Sequence, residues 1–164
     1  MKYCNCNTSY KQHREKGNQA YAFGGYKDAL NEYTIALEQL QLLKPASFVR
    51  KKNGVEESIS KSSSGANSNE ASNTMNPTDY AAIYAAILSN RSAVHLKLGS
   101  YKCAKEDALS SLQHDECSVK AHYRCGLALV GLQEYEDAKI YFEQGLSIAE
   151  GNTKDSNGRT ITKQ

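Results

Sequence analysis

Residues 118–149 read SVKAHYRCGLALVGLQEYEDAKIYFEQGLSIA, and this stretch decides the fold of the whole chain. It has the pattern of one complete helix–turn–helix unit, with a first helix at 118–131 and a second helix at 134–150. Lys120 and Arg124 are four residues apart in the first helix. Residues at that spacing lie on one face of a helix, one turn from each other. Two fixed cations side by side require a functional explanation.

The unit recurs along the chain with a fixed period. The matching pairs are Tyr101 with Tyr135, Ala104 with Ala138, and Ser92 with Gly126, and all three have the same separation in the sequence. That separation, about 34 residues, is typical of the tetratricopeptide repeat, in which each unit is a pair of antiparallel helices. The small residues among these pairs fit the points where paired helices cross, because side chains there set the distance between the helix axes.

A third copy of the pattern lies upstream. Gly17, Tyr26 and Ala29 match the second unit at a common offset, which is longer than the repeat period by about 41 residues. The first repeat is therefore followed by a long insertion. The residues between 45 and 79 are rich in Ser and Asn and poor in large apolar side chains. Such a segment buries too little apolar surface to offset the entropy of ordering it, so we expect it to be disordered.

The pattern predicts an all-α fold. Three tetratricopeptide helix–turn–helix repeats stack as a right-handed superhelix, with a long loop between repeats one and two. The expected segments are an N-terminal extension at 1–8, repeat one at 9–43, the disordered insertion at 44–78, repeat two at 79–114, repeat three at 115–150 and a flexible tail at 151–164. Within them we expect helices at 9–23, 26–43, 79–98, 101–114, 118–131 and 134–150.

The totals of the chain exclude several classes of function. Its 164 residues carry a net charge of only +2, which does not indicate binding to nucleic acid or to a membrane. The longest apolar run, at 80–88, is about half as long as a segment that spans a bilayer. Five cysteines form an odd set, and the first residues lack the apolar stretch of a secretory signal. We therefore expect a reduced, cytoplasmic protein.

Metal binding and catalysis have little support in the sequence. Four residues have spacings that zinc ligands can have, and they are His114, Cys117, His122 and Cys125. Packing within the repeat explains most of these positions, and free cysteine is often simply buried. We therefore expect no metal and no other cofactor. Because the chain has no nucleophile–base set, phosphate-binding loop or pair of catalytic carboxylates, we do not expect an enzyme.

The polar residues of the first helices converge on one groove. Stacked repeats form a superhelical groove lined by the first helix of each pair. Five polar side chains are expected to point into it: Arg14, Asn18, Asn90, Lys120 and Arg124. Arg supplies a planar fork, Lys a point charge and Asn an amide donor, so this set suits a ligand that carries two carboxylates.

Three runs of sequence carry a resemblance to a known family. Arg14-Glu-Lys-Gly-Asn18, Ser89-Asn-Arg-Ser-Ala93 and Lys120-Ala-His-Tyr-Arg124 resemble the carboxylate-clamp tetratricopeptide domains of co-chaperones. That family includes the Hop-type organising proteins, the large immunophilins, the Unc45-like myosin chaperones and protein phosphatase five. Its members bind the C-terminal Glu-Glu-Val-Asp of the seventy- and ninety-kilodalton heat-shock chaperones. The resemblance covers 9–150 except the insertion, with Arg14 standing where the family usually has Lys.

The resemblance implies a role for each groove residue. The terminal main-chain carboxylate of the peptide would be held by Arg14, Asn18 and Asn90. Lys120 would hold the side-chain carboxylate of the last Asp, and Arg124 would contact the peptide further back. The pocket for the Val would be lined by Ala93 and Leu96. The chain would then act as a co-chaperone adaptor.

Other functions stay open at this point. The groove of a tetratricopeptide scaffold also suits an internal peptide of another partner, although the inward positions of the first helices hold few large apolar residues. An accessory domain of an enzyme is a third class. The last helix carries Ile140, Leu146 and Ile148, which we expect to form an exposed apolar stripe. That stripe predicts self-association or contact with further domains of a longer protein.

Overall fold

The computed structural model describes residues 6–45, 75–154 and 160–162. Within these ranges six helices form three antiparallel pairs. They are α1 (Cys6–Ala22), α2 (Tyr26–Gln41), α3 (Pro77–Lys97), α4 (Tyr101–Leu112), α5 (Val119–Gly131) and α6 (Tyr135–Ala149). The pairs α1–α2, α3–α4 and α5–α6 pack closely, and α2 contacts α3 as α4 contacts α5. First helices α3 and α5 also contact each other, so the pairs are stacked in chain order. The all-α repeat fold predicted from the sequence is confirmed.

The observed helix bounds differ from the expected ones by at most three residues. Helix α1 begins at Cys6, inside the expected N-terminal extension, and α2 ends at Gln41 rather than at 43. Helix α3 begins at Pro77, so the last residues of the expected insertion belong to repeat two. Proline is suited to the first turn of a helix because its nitrogen has no hydrogen to leave unpaired. Residues 46–74 of the expected insertion and residues 1–5 lie outside the described residues.

The turn between paired helices needs a left-handed backbone conformation. Gly24 and Gly99 supply it in repeats one and two, with φ of 79° and 72°. At the position one repeat period after Gly99, repeat three has Gln133, whose φ is 65°. A side chain in this region is strained by its Cβ, which explains why glycine fills the other two turns. The fold thus imposes the turn even where the sequence gives no glycine.

The predicted helix crossings are confirmed as close contacts. The hydroxyl of Ser92 is fully buried and donates to the carbonyl oxygen of Ala104 at 2.8 Å. A Cβ added to Gly126 would lie 2.5 Å from the ring of Phe142, so only glycine fits there. Two clusters of buried apolar side chains result, a larger one between α1, α2 and α3 and a smaller one between α4, α5 and α6.

The chain beyond α6 was expected to be a flexible tail. Its described part instead contains two short strands, β1 (Asn152–Lys154) and β2 (Thr160–Thr162), which pair antiparallel. Strand β2 is the run Thr-Ile-Thr. All three residues are β-branched, which favours extended backbone over helix. Residues 155–159 and 163–164 lie outside the described residues.

The outer face of the last helix pair is apolar. Ile140 and Leu146 are 50% and 59% exposed, whereas Ile148 is half-buried. A shallow groove of about 240 Å³ runs beside them between α5 and α6. Its lining consists of Val119, Tyr123, Phe142, Gly145, Leu146 and Ala149. One repeat earlier, the corresponding face is covered by α5.

Candidate functional site

Two adjoining cavities form a continuous groove along the first helices. The smaller cavity, of about 160 Å³, is lined by Asn18, Tyr21, Tyr33, Asn90, Ala93 and Arg124. The larger cavity, of about 630 Å³, is lined by Tyr21, Ala93, Leu96, Lys97, Tyr101, Lys120, Tyr123, Arg124, Leu127, Val130 and Gly131. Tyr21, Ala93 and Arg124 belong to both, so the two cavities are joined. The groove is therefore bounded by α1, α3 and α5, with tyrosines of α2 and α4 behind them.

The amides of Asn18 and Asn90 meet in the smaller cavity. The phenolic hydroxyl of Tyr33 donates to Oδ1 of Asn18 at 2.8 Å. The Nδ2 of Asn90 donates to the same oxygen at 3.4 Å. Because Oδ1 of Asn18 accepts two hydrogen bonds, the amide presents its Nδ2 to other partners. This Nδ2 donates to the exposed Glu15 carboxylate over a long distance of 3.4 Å. The pair therefore offers N–H donors to a ligand.

Arg124 is the cation that both cavities share. Its Nη1 donates to the hydroxyl of Ser89, which directly precedes Asn90 on α3. No carboxylate of the described residues lies within ion-pair distance of its guanidinium. Burial lowers the pKa of Arg124, while the nearby Tyr21 and Tyr33 act in the opposite direction. A partly desolvated guanidinium without a counter-charge is a strong binding site for an anion.

Two lysines stand at the rim of the larger cavity. Lys120 lies one turn before Arg124 on α5, and Lys97 closes α3 on the opposite wall. Both side chains are exposed, and neither forms an ion pair with any described carboxylate. Between them the floor of the cavity is apolar, formed by Leu96, Leu127 and Val130. The cavity is thus suited to a peptide that combines acidic and aliphatic side chains.

Six of the seven residues proposed from the sequence line this groove. They are Asn18, Asn90, Ala93, Leu96, Lys120 and Arg124. Arg14 is the exception, because it lines neither cavity. It is half-buried one turn before Asn18, and its charge lies close enough to Tyr10 and Tyr33 to lower the pKa of both phenols against the larger effect of burial.

Several groove residues were missed by sequence reasoning. Lys97 is seven residues after Asn90, so helical periodicity on α3 would have identified it. Tyr21 follows Asn18 by three residues and was available from the same rule on α1. Tyr33 and Tyr101 come from second helices, and no spacing within a first helix indicates them. First helices alone were expected to line the groove, so the tyrosines behind it were not predicted.

The histidines and cysteines of repeat three do not gather into a metal site. Among the described residues no group of three or more His, Cys, Asp or Glu side chains has metal-binding geometry. The ring Nδ1 of His122 is 3.1 Å from the carbonyl oxygen of Ser118. Burial raises the pKa of the Cys125 thiol to about 11. Cys125 is therefore a neutral thiol that packs in the core. Since a thiolate is the form that binds metal, this thiol is poorly suited as a metal ligand.

Helices long and apolar enough to cross a bilayer do not occur in the described part of the chain.

Comparisons with known proteins agree with the fold. No family model matches the chain. In structure the chain is similar to the Arabidopsis OM64 TPR domain, with a TM-score of 0.60 and 22% identity over 88% of this chain and 85% of that one. This likeness shows the tetratricopeptide fold.

Three curated relatives are similar in sequence. The rice (Oryza sativa subsp. japonica) protein SGT1 homolog is 37% identical over 70 residues, which is 43% of this chain. The Schizosaccharomyces pombe Hsp70/Hsp90 co-chaperone cns1 is 31% identical over 126 residues, or 77% of this chain. Human sperm-associated antigen 1 is 28% identical over 132 residues, or 80% of this chain. The chain spans 19%, 25% and 10% of these relatives' own lengths, so each likeness concerns one part of a larger protein.

Proposed function

We propose that this tetratricopeptide domain binds the free C-terminal carboxylates of an acidic peptide tail. The tail would be of the Glu-Glu-Val-Asp type that ends the seventy- and ninety-kilodalton heat-shock chaperones, and the domain would act as a co-chaperone adaptor without catalysis of its own. The observation that carries the proposal concerns the surroundings of Arg124. It is partly desolvated, it lies in the same groove as two amides and two lysines, and no described carboxylate neutralises it.

We assign a part of the peptide to each wall of the groove. Asn18 and Asn90 would bind the terminal main-chain carboxylate through their Nδ2 groups. Lys120 would bind the side-chain carboxylate of the last Asp, and Arg124 would bind a carboxylate further back. Arg14 would add long-range attraction from α1 rather than a direct contact, since it lines neither cavity. The aliphatic side chain between the acids would lie against Ala93 and Leu96.

Two further observations support the proposal. The S. pombe relative is named as an Hsp70/Hsp90 co-chaperone, and it matches most of this chain. Free thiols at Cys103 and Cys117 are exposed, which suits the reducing cytoplasm in which such chaperones work. The same groove also supports a second candidate, a peptide that binds through internal side chains, because the far end of the larger cavity is apolar.

Calorimetric titration with matched peptides distinguishes the two candidates. One peptide ends in Met-Glu-Glu-Val-Asp with a free carboxylate, and the other is its C-terminal amide. We expect micromolar affinity for the free acid, equivalent to about −8 kcal/mol, and affinity at least about tenfold weaker for the amide. Equal affinities would overturn the carboxylate proposal and support an internal peptide. Binding of the acid should also weaken as salt rises, because the lysines at the rim are exposed.

A further inference from the structure

The helix pair of repeat one contains an unusually close contact between its two helices. Gly17 on α1 faces the ring of Tyr33 on α2, and a Cβ added to Gly17 would lie 2.8 Å from that ring. Tyr33 is only 2% exposed, so a side chain at position 17 would have to displace a buried ring. Glycine at position 17 therefore lets the tyrosine pass under α1 toward the groove, where Tyr33 is part of the lining.

The hydroxyl of Tyr33 contacts the amide oxygen of Asn18. It donates to Oδ1 of Asn18 at 2.8 Å, and Nδ2 of Asn90 approaches the same oxygen at 3.4 Å. An asparagine amide has one acceptor end and one donor end, and a rotation of the terminal torsion exchanges them. A carboxylate ligand needs the donor end, since the acceptor end would repel it. Whatever occupies Oδ1 from behind decides which end meets the ligand.

Tyr33 is well suited to that task. Burial raises the pKa of its phenol, with Arg124 and Arg14 acting in the opposite direction, so the hydroxyl stays protonated and donates throughout the neutral range. The second donor, Asn90, is itself an amide that can rotate, and its contact with Asn18 is longer. Tyr33 is therefore the more rigid of the two donors to Asn18 Oδ1, because its ring is held by the packing around Gly17.

We infer that Tyr33 is a positioning residue for carboxylate binding, which holds the Asn18 amide so that Nδ2 faces the ligand, and that Gly17 is required because it admits the Tyr33 ring. The inference rests on the proposed function, because it assigns the orientation of a group that would touch the terminal carboxylate. It adds a residue of a second helix to a site whose direct contacts come from first helices.

The test is the Tyr33→Phe variant, which keeps the ring and its packing and removes only the hydroxyl. We expect its affinity for the free-acid peptide to fall about threefold to tenfold, as for one lost hydrogen bond, while its affinity for the amide peptide stays unchanged. The ratio of the two affinities therefore falls. Tyr84→Phe is the matched control, because the Tyr84 hydroxyl accepts a long bond from Gln41 away from the groove. It should leave the ratio unaltered.

A double-variant cycle separates positioning from general loosening. In Asn18→Ala the group that Tyr33 orients is gone, so adding Tyr33→Phe should cost no further affinity for the free acid. Independent losses that multiply would overturn the inference, as would a Tyr33→Phe variant with an unchanged acid-to-amide ratio. A wild-type protein that fails to distinguish acid from amide would instead overturn the proposed function itself, so the two failures are distinguishable.

Discussion

Arg91 and Arg124 lie on the first helices of neighbouring repeats, and both are half-buried, but their surroundings differ in charge. Arg91 forms a bidentate pair with Asp107 on α4, with Nε 2.8 Å from Oδ2 and Nη2 2.7 Å from Oδ1. That hydrogen bonding raises the pKa of Arg91. Arg124 donates to the neutral hydroxyl of Ser89 and has no ion-pair partner in the part of the chain that the structure describes, and burial lowers its pKa. One arginine is neutralised within the fold, and the other has no ion-pair partner among the described residues.

The repeat period makes the comparison sharper. The positions one period after Arg91 and Asp107 are Cys125 and Tyr141, whose side chains are hydrogen-bonded to each other. The same two places in the stack thus hold an ion pair in one repeat and a neutral pair in the next. The ion pair is therefore not required by the repeat architecture. It belongs to repeat two, where it connects α4 to α3, the helix that carries Asn90.

We expect the largest effect from removing Asp107, the carboxylate that neutralises Arg91. Asp107→Ala leaves the guanidinium of Arg91 partly buried without its counter-charge. We expect a loss of about 3 kcal/mol in the free energy of unfolding, because removal of one partner of a buried pair leaves an uncompensated charge. Urea unfolding followed by circular dichroism measures this change. Affinity for the free-acid peptide, measured on the folded protein, should be nearly unchanged.

Two companion variants test the cause of that loss. Glu106→Ala removes an exposed carboxylate on the same helix and should change stability by less than about 0.5 kcal/mol. Arg91→Met combined with Asp107→Leu removes both charges and should recover most of the stability, since apolar replacements of a buried pair are often neutral. A double variant as unstable as Asp107→Ala alone would contradict the assignment of the loss to an unpaired charge.

Arg124→Met tests the other side of the comparison. Methionine keeps the aliphatic length of the side chain but removes the charge and the fork. We expect the affinity for the free-acid peptide to fall about tenfold to a hundredfold, as for loss of a charged hydrogen bond. Stability should fall by less than in Asp107→Ala, because no ion pair is lost and only the hydrogen bond to the Ser89 hydroxyl is removed. A variant that loses stability but keeps affinity would assign Arg124 to the fold, as Arg91 is.

Lys120→Ala has a smaller expected effect because the ammonium is exposed. We expect affinity for the free acid to fall about threefold to tenfold at low salt, and the loss to shrink as salt rises. Lys102→Ala is the control, since Lys102 is also exposed but lies outside both cavities. Equal effects of the two variants would mean that Lys120 contributes only to the net charge.

The repeat architecture was predicted well from the sequence because each repeat is specified by residues close together in the chain. Small residues recur at a fixed period, as at Ser92 and Gly126 or at Ala104 and Ala138, and each constrains only its own helix pair. The groove residues of α3 and α5 followed from the same period. The contacts that sequence reasoning missed join residues of different helices. Tyr33 reaches Asn18 from 15 residues away, and Arg91 reaches Asp107 from 16, so neither follows from periodicity within one helix.

We expect the smallest effect from His95, whose ring lies close to Asp107 and whose titration affects stability. Its Nδ1 is buried and has no hydrogen-bond partner among the described residues, and its Nε2 is 3.7 Å from Oδ2 of Asp107. Burial lowers the pKa of His95; Asp107 and Glu106 act against this, and Arg91 reinforces it. The unfolded chain therefore binds a proton more readily than the folded one near pH 6.5, and stability should fall as the pH drops through that value.

Urea unfolding between about pH 7.5 and about pH 5.5 measures this dependence. His95→Phe fills the same space without a titrating group, so its stability should decline less over that range than the stability of the wild-type protein. An equal decline of stability with pH in the two proteins would mean that Asp107 stabilises the protonated His95 ring enough to offset its burial. The carboxylate would then be shared between two cations, and the contrast with Arg124 would rest on the guanidinium pair alone.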